Sequence, residues 1–140
     1  MRVGAVRPDL ADRADVEALL HRFYGTALDD EMLYESFTEL RATGLAGHIP
    51  TMCDFWETVL FRAGLYRGSA LTVHRDLHSR TPLAPGHFVR WLILWNEAVD
   101  ELYDGPVAEH AKLQAARIAW SMNRRLNGVD TRELDALLAR

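Results

Sequence analysis

Histidine is the residue type that first suggests chemistry in this chain, because three of its six histidines fall between positions 74 and 87. His74 and His78 are four residues apart, so on a helix both rings would face the same side and could share a metal ion. A closed metal site needs further ligands, and no cysteine or second histidine pair is spaced to supply them. The sequence His-Arg-Asp-Leu from position 74 matches the start of a kinase catalytic loop, but the expected asparagine is Thr81 and other kinase motifs are missing.

Aromatic residues offer another explanation for these histidines, since the chain has a large set of flat apolar side chains for its length. A helix over about 46–63 would place His48 at the head of an apolar stripe. Taken singly, His48, Tyr24 and Trp91 are typical of core residues whose polar atoms are satisfied. Taken together, they could converge on one polar spot in an apolar slot, an arrangement typical of a haem pocket. The flat apolar residues are Phe23, Phe37, Phe55, Trp56, Phe88, Trp91 and Trp95.

Helical periodicity dominates the chain and predicts an all-α bundle of five or six helices. Asp12 or Asp15 can cap a first helix that runs to about Leu28, and residues 30–40 read as one or two short helical turns. The tight break at Gly105 and Pro106 predicts that the flanking helices are antiparallel neighbours. The remaining helices are predicted over 46–63, 70–78, 85–104, 106–127 and, as a short tail, 130–139.

Length and composition predict one globular domain over 1–140, with a core at about 13–127 and a tail at 128–140. The single cysteine, Cys53, cannot form an internal disulfide, which favours a reducing cytoplasm. No apolar run is long enough for a signal peptide or a membrane span. The net charge of −4 without a basic stripe argues against a nucleic-acid partner.

The order of these features resembles the truncated haemoglobins, and most closely their group III. Phe23-Tyr24 ends the first long helix, where the family has its distal tyrosine. Phe37 follows where a phenylalanine packs against the haem, and Phe55-Trp56 resembles the aromatic pair of group III. His48 stands eight residues before the tryptophan of that pair, at the distal-histidine position typical of group III.

The second half of the chain continues this resemblance. The segment Tyr66-Arg67-Gly68-Ser69 is similar to the tyrosine-x-glycine turn of the family, and His74 lies six residues after its glycine, where the proximal histidine is expected. Phe88-x-x-Trp91-Leu92 resembles the helix that brings a tryptophan to the ligand. The resemblance covers roughly residues 13–127 and implies a globin-like truncated helical sandwich around a haem.

The proximal ligand is open between two histidines. Counting forward from Trp56 through Gly68 favours His74 as the ligand of the iron. Counting back from Trp91 favours His78, because the segment before Trp91 is longer than is usual in group III. We prefer His74, which leaves His78 near the haem edge or on the surface, and His87 is expected to face solvent.

The resemblance further implies a b-type haem as cofactor, with Tyr24, His48 and Trp91 as distal groups that stabilise the ligand. The haem carboxylates need cationic or hydroxyl partners, for which Arg67, Arg75, Arg80 and Tyr66 are candidates. The full set of expected haem contacts is Phe23, Phe37, Met52, Phe55, Trp56, Tyr66, Arg75, His78, Phe88 and Trp95.

The function implied is binding of O2, CO or NO in a monomer or weak dimer. A pocket rich in donors holds O2 tightly and releases it slowly, which argues against a freely exchanging store for oxygen transport. The same donors could assist NO dioxygenation or peroxidase-like turnover of peroxide. The chain has no flavin or nicotinamide motif, so such turnover would need an external electron donor.

Two other classes of protein stay open at this point. A haem-free helical interaction or small-ligand-binding domain would use the same aromatic residues simply as core. A non-haem metal site at His74 and His78 would need acidic residues such as Asp76 to complete it.

Overall fold

The computed structural model describes residues 6–66 and 68–128, which form six α-helices and one short 3₁₀ turn, with no strand among them. The tail predicted at 130–139 lies outside these residues, as does Arg67. The all-α prediction is confirmed, and the helix ends agree with the expected ones to within a few residues. The α-helices are α1 Arg13–Ala27, α2 Thr38–Thr43, α3 His48–Phe61, α4 Ala70–Arg80, α5 Pro85–Leu102 and α6 Pro106–Asn127, and the 3₁₀ turn is Glu35–Phe37.

Local signals in the sequence explain where most helices begin and end. Asp12 caps α1 by accepting a hydrogen bond from the backbone N–H of Asp15, and Ser69 caps α4 through Thr72. Pro85 and Pro106 occupy the first turns of α5 and α6, where a missing N–H breaks no helical hydrogen bond. The Gly128 that follows α6 is left-handed at φ 74°, a conformation that glycine adopts without strain.

Two pairs of helices make the sandwich, with α1 packed on α3, α5 packed on α6, and α1 and α5 in contact between the pairs. The α5–α6 pair is the most extensive, and the tight Gly105 break predicted that these two helices are neighbours. The large side chain of Trp95 on α5 packs against small residues of α6. Its indole comes close enough to the α6 backbone to donate to the carbonyl of Ala111 at 3.3 Å. The buried alanines of α6 that allow this close approach are Ala108, Ala111, Ala115, Ala116 and Ala119.

The chain before α1 closes the α5–α6 corner. The carboxylate of Asp9 accepts hydrogen bonds from the backbone N–H groups of Val107 and Ala108 at 2.9 and 2.8 Å, and another from Leu10. Asp9 therefore caps α6 from a distant part of the sequence. Gly105 must be glycine here, because its φ is +144° and an added Cβ would lie 2.5 Å from the Asp9 carboxyl carbon.

This distant cap predicts a stability effect that depends on pH. Burial acts to raise the pKa of Asp9, but the three N–H donors outweigh burial and the pKa is lowered. The carboxylate then stabilises the fold above its unfolded pKa of ~3.9, and this contribution is lost as the pH falls through the lower folded pKa. We expect Asp9→Ala to reduce the free energy of unfolding by about 1–2 kcal/mol at neutral pH.

Urea unfolding of wild type and Asp9→Ala at neutral and at acid pH measures this effect. The difference between the two should shrink in acid. The exposed Asp104→Ala is a control that leaves the cap in place and should change little. A difference that stays constant down to the lowest usable pH would mean that the carboxylate charge is not responsible.

Candidate functional site

A polar pair lies where the C-terminal part of α1 meets the start of α3. The hydroxyl of Tyr24 and the Nε2 of His48 are 2.8 Å apart, and their rings meet edge to face with centroids 5.2 Å apart. Tyr24 is held by the buried face of α1, whereas His48 begins α3 and is half-buried. Phe37 packs edge-on against Tyr24 with centroids 5.9 Å apart, so the corner after α1 covers the phenol ring.

Burial determines the protonation of this pair. It raises the pKa of the Tyr24 phenol, which therefore stays protonated and can donate a hydrogen bond. Burial and the positive charge that His74 can carry both lower the pKa of His48, which favours the neutral imidazole. A neutral pair can share either proton, because the phenol and the imidazole can each donate or accept.

A stack of three indoles lies beside this pair. Trp91 and Trp95 are nearly parallel with centroids 5.8 Å apart, and Trp95 stacks on Trp56 at 4.5 Å. Phe23 contacts Tyr24, Trp91 and Trp95 edge-on, which joins the stack to the polar pair. Trp56 and Trp95 are buried in the core, whereas Trp91 is half-buried and its indole N–H has no hydrogen-bond partner among the described residues.

One ring nitrogen of His74 is hydrogen-bonded, and the other has no partner among the described residues. Its Nδ1 is 2.7 Å from the backbone carbonyl oxygen of Ala70, one turn earlier on α4. A carbonyl only accepts, so Nδ1 must carry the proton. The lone pair of a neutral His74 is therefore on Nε2, which has no partner within the described part of the chain. A histidine held in this way has the tautomer and fixed orientation of a typical metal ligand.

His78 is held in the opposite tautomer. Its Nδ1 is 2.9 Å from the backbone nitrogen of Leu83, which can only donate. Nδ1 must therefore be the acceptor, and a neutral His78 carries its proton on Nε2. Such an imidazole has no free lone pair. His74 and His78 are four residues apart, so both lie on the same face of α4. They differ in whether their hydrogen bonds leave a ring nitrogen with a lone pair that could bind a metal ion.

The linker between α4 and α5 is held by side chains from three helices. The carbonyl of Leu83 accepts from the Asn127 side chain at 2.9 Å, while its N–H is taken by His78. The next N–H along, that of Ala84, donates to Nδ1 of His87 at 2.8 Å. His87, which was expected to face solvent, is half-buried, and its ring takes part in capping α5. No sequence signal indicated this role, since histidine is not a typical cap.

Basic and hydroxyl groups lie around α4 and the turn before it. Arg80 pairs with Asp76 at 3.0 Å and with Glu39 of α2, so its guanidinium is already engaged. Arg75 is exposed and has no ion pair among the described residues. The Tyr66 ring packs edge-on against Phe55 at 5.1 Å, and its hydroxyl has no partner in residues 6–66 and 68–128.

The other residues predicted at the site are either buried in the core or half-buried. Phe88 is buried in the core, while Met52 and Phe55 are half-buried on α3. Cys53, predicted to be a small core residue, is buried as expected. Within the described ranges, no group of three or more histidine, cysteine, aspartate or glutamate side chains could hold a metal ion, and no helix could span a membrane.

This arrangement of helices around a histidine and a tyrosine defines a globin-like fold of the truncated type. The structure superposes on the crystal structure of a group III truncated hemoglobin from Campylobacter jejuni with a TM-score of 0.77. The match has 23% sequence identity and covers 86% of this chain and 95% of that one. At this identity the likeness establishes the fold alone, and it confirms the expected helical sandwich. Scans of protein-family models and of curated proteins gave no match.

The linker contact of His78 can be tested without any cofactor. We expect His78→Ala to lower the free energy of unfolding by about 1–3 kcal/mol, because the N–H of the buried Leu83 loses its acceptor. His78→Asn keeps an acceptor oxygen and should recover part of this loss. Denaturant unfolding and hydrogen exchange at the Leu83 amide are the measurements. Val73→Ala, at an exposed position of the same helix, is the control, and an equal loss in all three variants would contradict the role of the hydrogen bond.

Proposed function

We propose that the chain is a haem protein of the truncated-haemoglobin type, in which His74 binds the iron of a b-type haem. The observation that carries this proposal is the bond from His74 Nδ1–H to the Ala70 carbonyl, which leaves Nε2 free. The same reasoning favours His74 over His78, whose Nδ1 is occupied by the Leu83 N–H. That the chain belongs to the truncated-haemoglobin family is part of this proposal.

The apolar surfaces beside His74 fit a flat cofactor. Helix α4 buries none of its side chains completely, although Leu71 and Leu77 are apolar. Its main helix contact is with α6, while Met52 and Phe55 on α3 are also only half-buried. A flat apolar group between α3 and α4 would remove these half-covered side chains from water.

Free polar groups suit the carboxylates of a haem. Arg75 has no competing ion pair among the described residues, and the Tyr66 hydroxyl has no hydrogen bond there. Both can therefore bind a carboxylate without breaking an existing contact. Arg80 is a weaker candidate, because Asp76 and Glu39 already hold its guanidinium.

The cofactor would supply reversible binding of O2, CO or NO at its iron, and the chain would supply hydrogen bonds to that ligand. If His48 Nε2–H donates to the Tyr24 oxygen, the phenol proton is free to reach the ligand. Trp91 can only donate, and its N–H has no partner in the part of the chain described. Donors in a site shielded from water stabilise a ligand that carries partial negative charge, which O2 does more than CO.

Tight retention of O2 favours reaction or sensing over transport. NO dioxygenation and peroxidase-like turnover both use the same donors, and both need an electron donor from outside the chain. A reducing cytoplasm, indicated by the lone buried Cys53, would suit such a donor.

Absorbance spectra test the iron ligand. We expect purified wild type to show a Soret band that shifts on reduction and on CO addition, and His78→Asn to keep it. His74→Ala should lose this band or alter it grossly, because the Nε2 ligand is removed. Loss in His78→Asn alone would reverse the assignment of the two histidines. Failure of folded wild type to take up added hemin would favour the haem-free helical domain.

Ligand release tests the distal residues. We expect Tyr24→Phe and Trp91→Phe each to speed O2 dissociation by about 10-fold or more, since a lost hydrogen bond of ~1.5 kcal/mol corresponds to that factor. Dissociation of CO should change far less. Stopped-flow mixing measures both rates, and Tyr34→Phe at an exposed tyrosine is the matched control. Unchanged O2 release in both distal variants would refute the assignment.

A further inference from the structure

The hydroxyl of Thr58 holds the segment of chain that follows α3. Its Oγ donates to the backbone carbonyl of Asp54 at 2.7 Å, a bond that threonine often makes within helices. The same oxygen accepts hydrogen bonds from the backbone N–H groups of Leu65 and Tyr66 at 3.0 and 3.1 Å. A hydroxyl has one proton and two lone pairs, so its whole hydrogen-bonding capacity is used. The ordinary helical bond accounts for the proton alone, and the two bonds from the segment need another explanation.

Apolar packing does not hold this segment. Residues 62–65 are exposed, and Leu65 in particular is 48% exposed. The backbone N–H groups of Arg62 and Ala63 bond back to carbonyls of α3 at 3.2 and 3.3 Å and end the helix. Beyond Ala63, the hydroxyl of Thr58 ties the segment to α3. The position of the residues just before α4 therefore depends on this one side chain.

Three contacts determine where Tyr66 lies. Thr58 holds its backbone, and the ring of Phe55 packs edge-on against its ring with centroids 5.1 Å apart. Phe55 and Thr58 are three residues apart on α3, so both contacts come from the same face of that helix. The phenol also lies close to Gly68, because a Cβ added there would be 2.9 Å from the Tyr66 hydroxyl oxygen. The side chain of Tyr66 thus bridges α3 and the residues that directly precede α4.

This location suits a carboxylate of the proposed haem. Phe55 is one of the half-buried α3 residues that a haem between α3 and α4 would cover, and Tyr66 packs directly against it. The Tyr66 hydroxyl is free to donate, since it has no hydrogen bond within residues 6–66 and 68–128. A hydrogen bond to a carboxylate is short and depends on geometry, so its donor must be held in place. A donor next to an exposed segment meets this need only if the segment is fixed.

We propose that Thr58 is a positioning residue for the haem, because its hydroxyl fixes the segment before α4 so that the Tyr66 phenol can donate to a haem carboxylate. This inference rests on the proposed haem function and adds a requirement to it, namely a porphyrin that carries free carboxylates. Gly68 contributes by leaving room for the phenol. Serine can replace Thr58 in this role, whereas valine, which has the same shape without the hydroxyl, cannot.

The rate of hemin release tests the proposal. We expect Thr58→Val to speed hemin dissociation by about 10-fold, the factor that corresponds to one lost hydrogen bond to a charged group. Thr58→Ser keeps the hydroxyl and should stay close to wild type. Transfer of hemin to an excess of a second apo-globin, followed by absorbance, measures the rates. Thr43→Val is the matched control, because the Thr43 hydroxyl makes the same helical bond, to the Glu39 carbonyl, and no backbone N–H of the described residues donates to it.

Hemin dimethyl ester separates positioning from a general loss of stability. With both carboxylates blocked, wild type and Thr58→Val should release the ester at equal rates. Tyr66→Phe should speed the release of hemin relative to wild type but not that of the ester, and adding Thr58→Val to it should have no further effect. Gly68→Ala, which crowds the phenol and leaves both bonds to Thr58 in place, should also speed the release of hemin alone.

Amide hydrogen exchange provides a readout that does not depend on haem. Exchange at Leu65 and Tyr66 should be faster in Thr58→Val than in wild type and unchanged in Thr43→Val. Equal acceleration of hemin and ester release, or faster exchange with no change in hemin release, would overturn the positioning role alone. Failure of wild type to take up hemin would refute the proposed function and this inference with it, so the two failures are distinguishable.

Discussion

Helix α4, which carries His74, packs Ala70 and Leu77 against the core but buries none of its side chains fully. Hydrogen bonds and ion pairs therefore contribute much of what holds it in position. Ser69 caps its start, and the bond from Leu83 N–H to His78 fixes the chain just beyond its end. The hydrogen bonds that the linker at Leu83 and Ala84 makes with His78, His87 and Asn127 also join α4 to α5 and α6. The orientation of His74 depends on these few polar contacts, each of which contributes a modest free energy.

The opposite wall of the site is held by the packing of buried apolar side chains. Tyr24 and Trp91 belong to helices with buried apolar faces, and the edge-on contacts of Phe23 fix their rings relative to each other. Packed aromatic rings have few alternative positions, so this side of the site is well ordered. If a haem binds as proposed, an ordered wall on one side and a wall held by hydrogen bonds on the other would suit the uptake of a large flat group.

The amino-acid sequence by itself determined the helices, most of their ends and the all-α class, because apolar periodicity, capping residues and proline act locally. It also placed Tyr24 and Trp91 on inward helix faces. Tertiary structure decided what local signals cannot encode, namely the capping of α6 by Asp9 from before α1 and the bond from Asn127 to the Leu83 carbonyl. The capping of α5 by His87 and the difference between His74 and His78 come from contacts with residues nearby in the chain, which helical periodicity alone does not specify. Spacing makes those two histidines equivalent on α4. The chain turns beyond the end of α4 so that the N–H of Leu83 reaches His78, whereas His74 bonds to the Ala70 carbonyl within the helix, and these different partners decide which ring nitrogen keeps its lone pair.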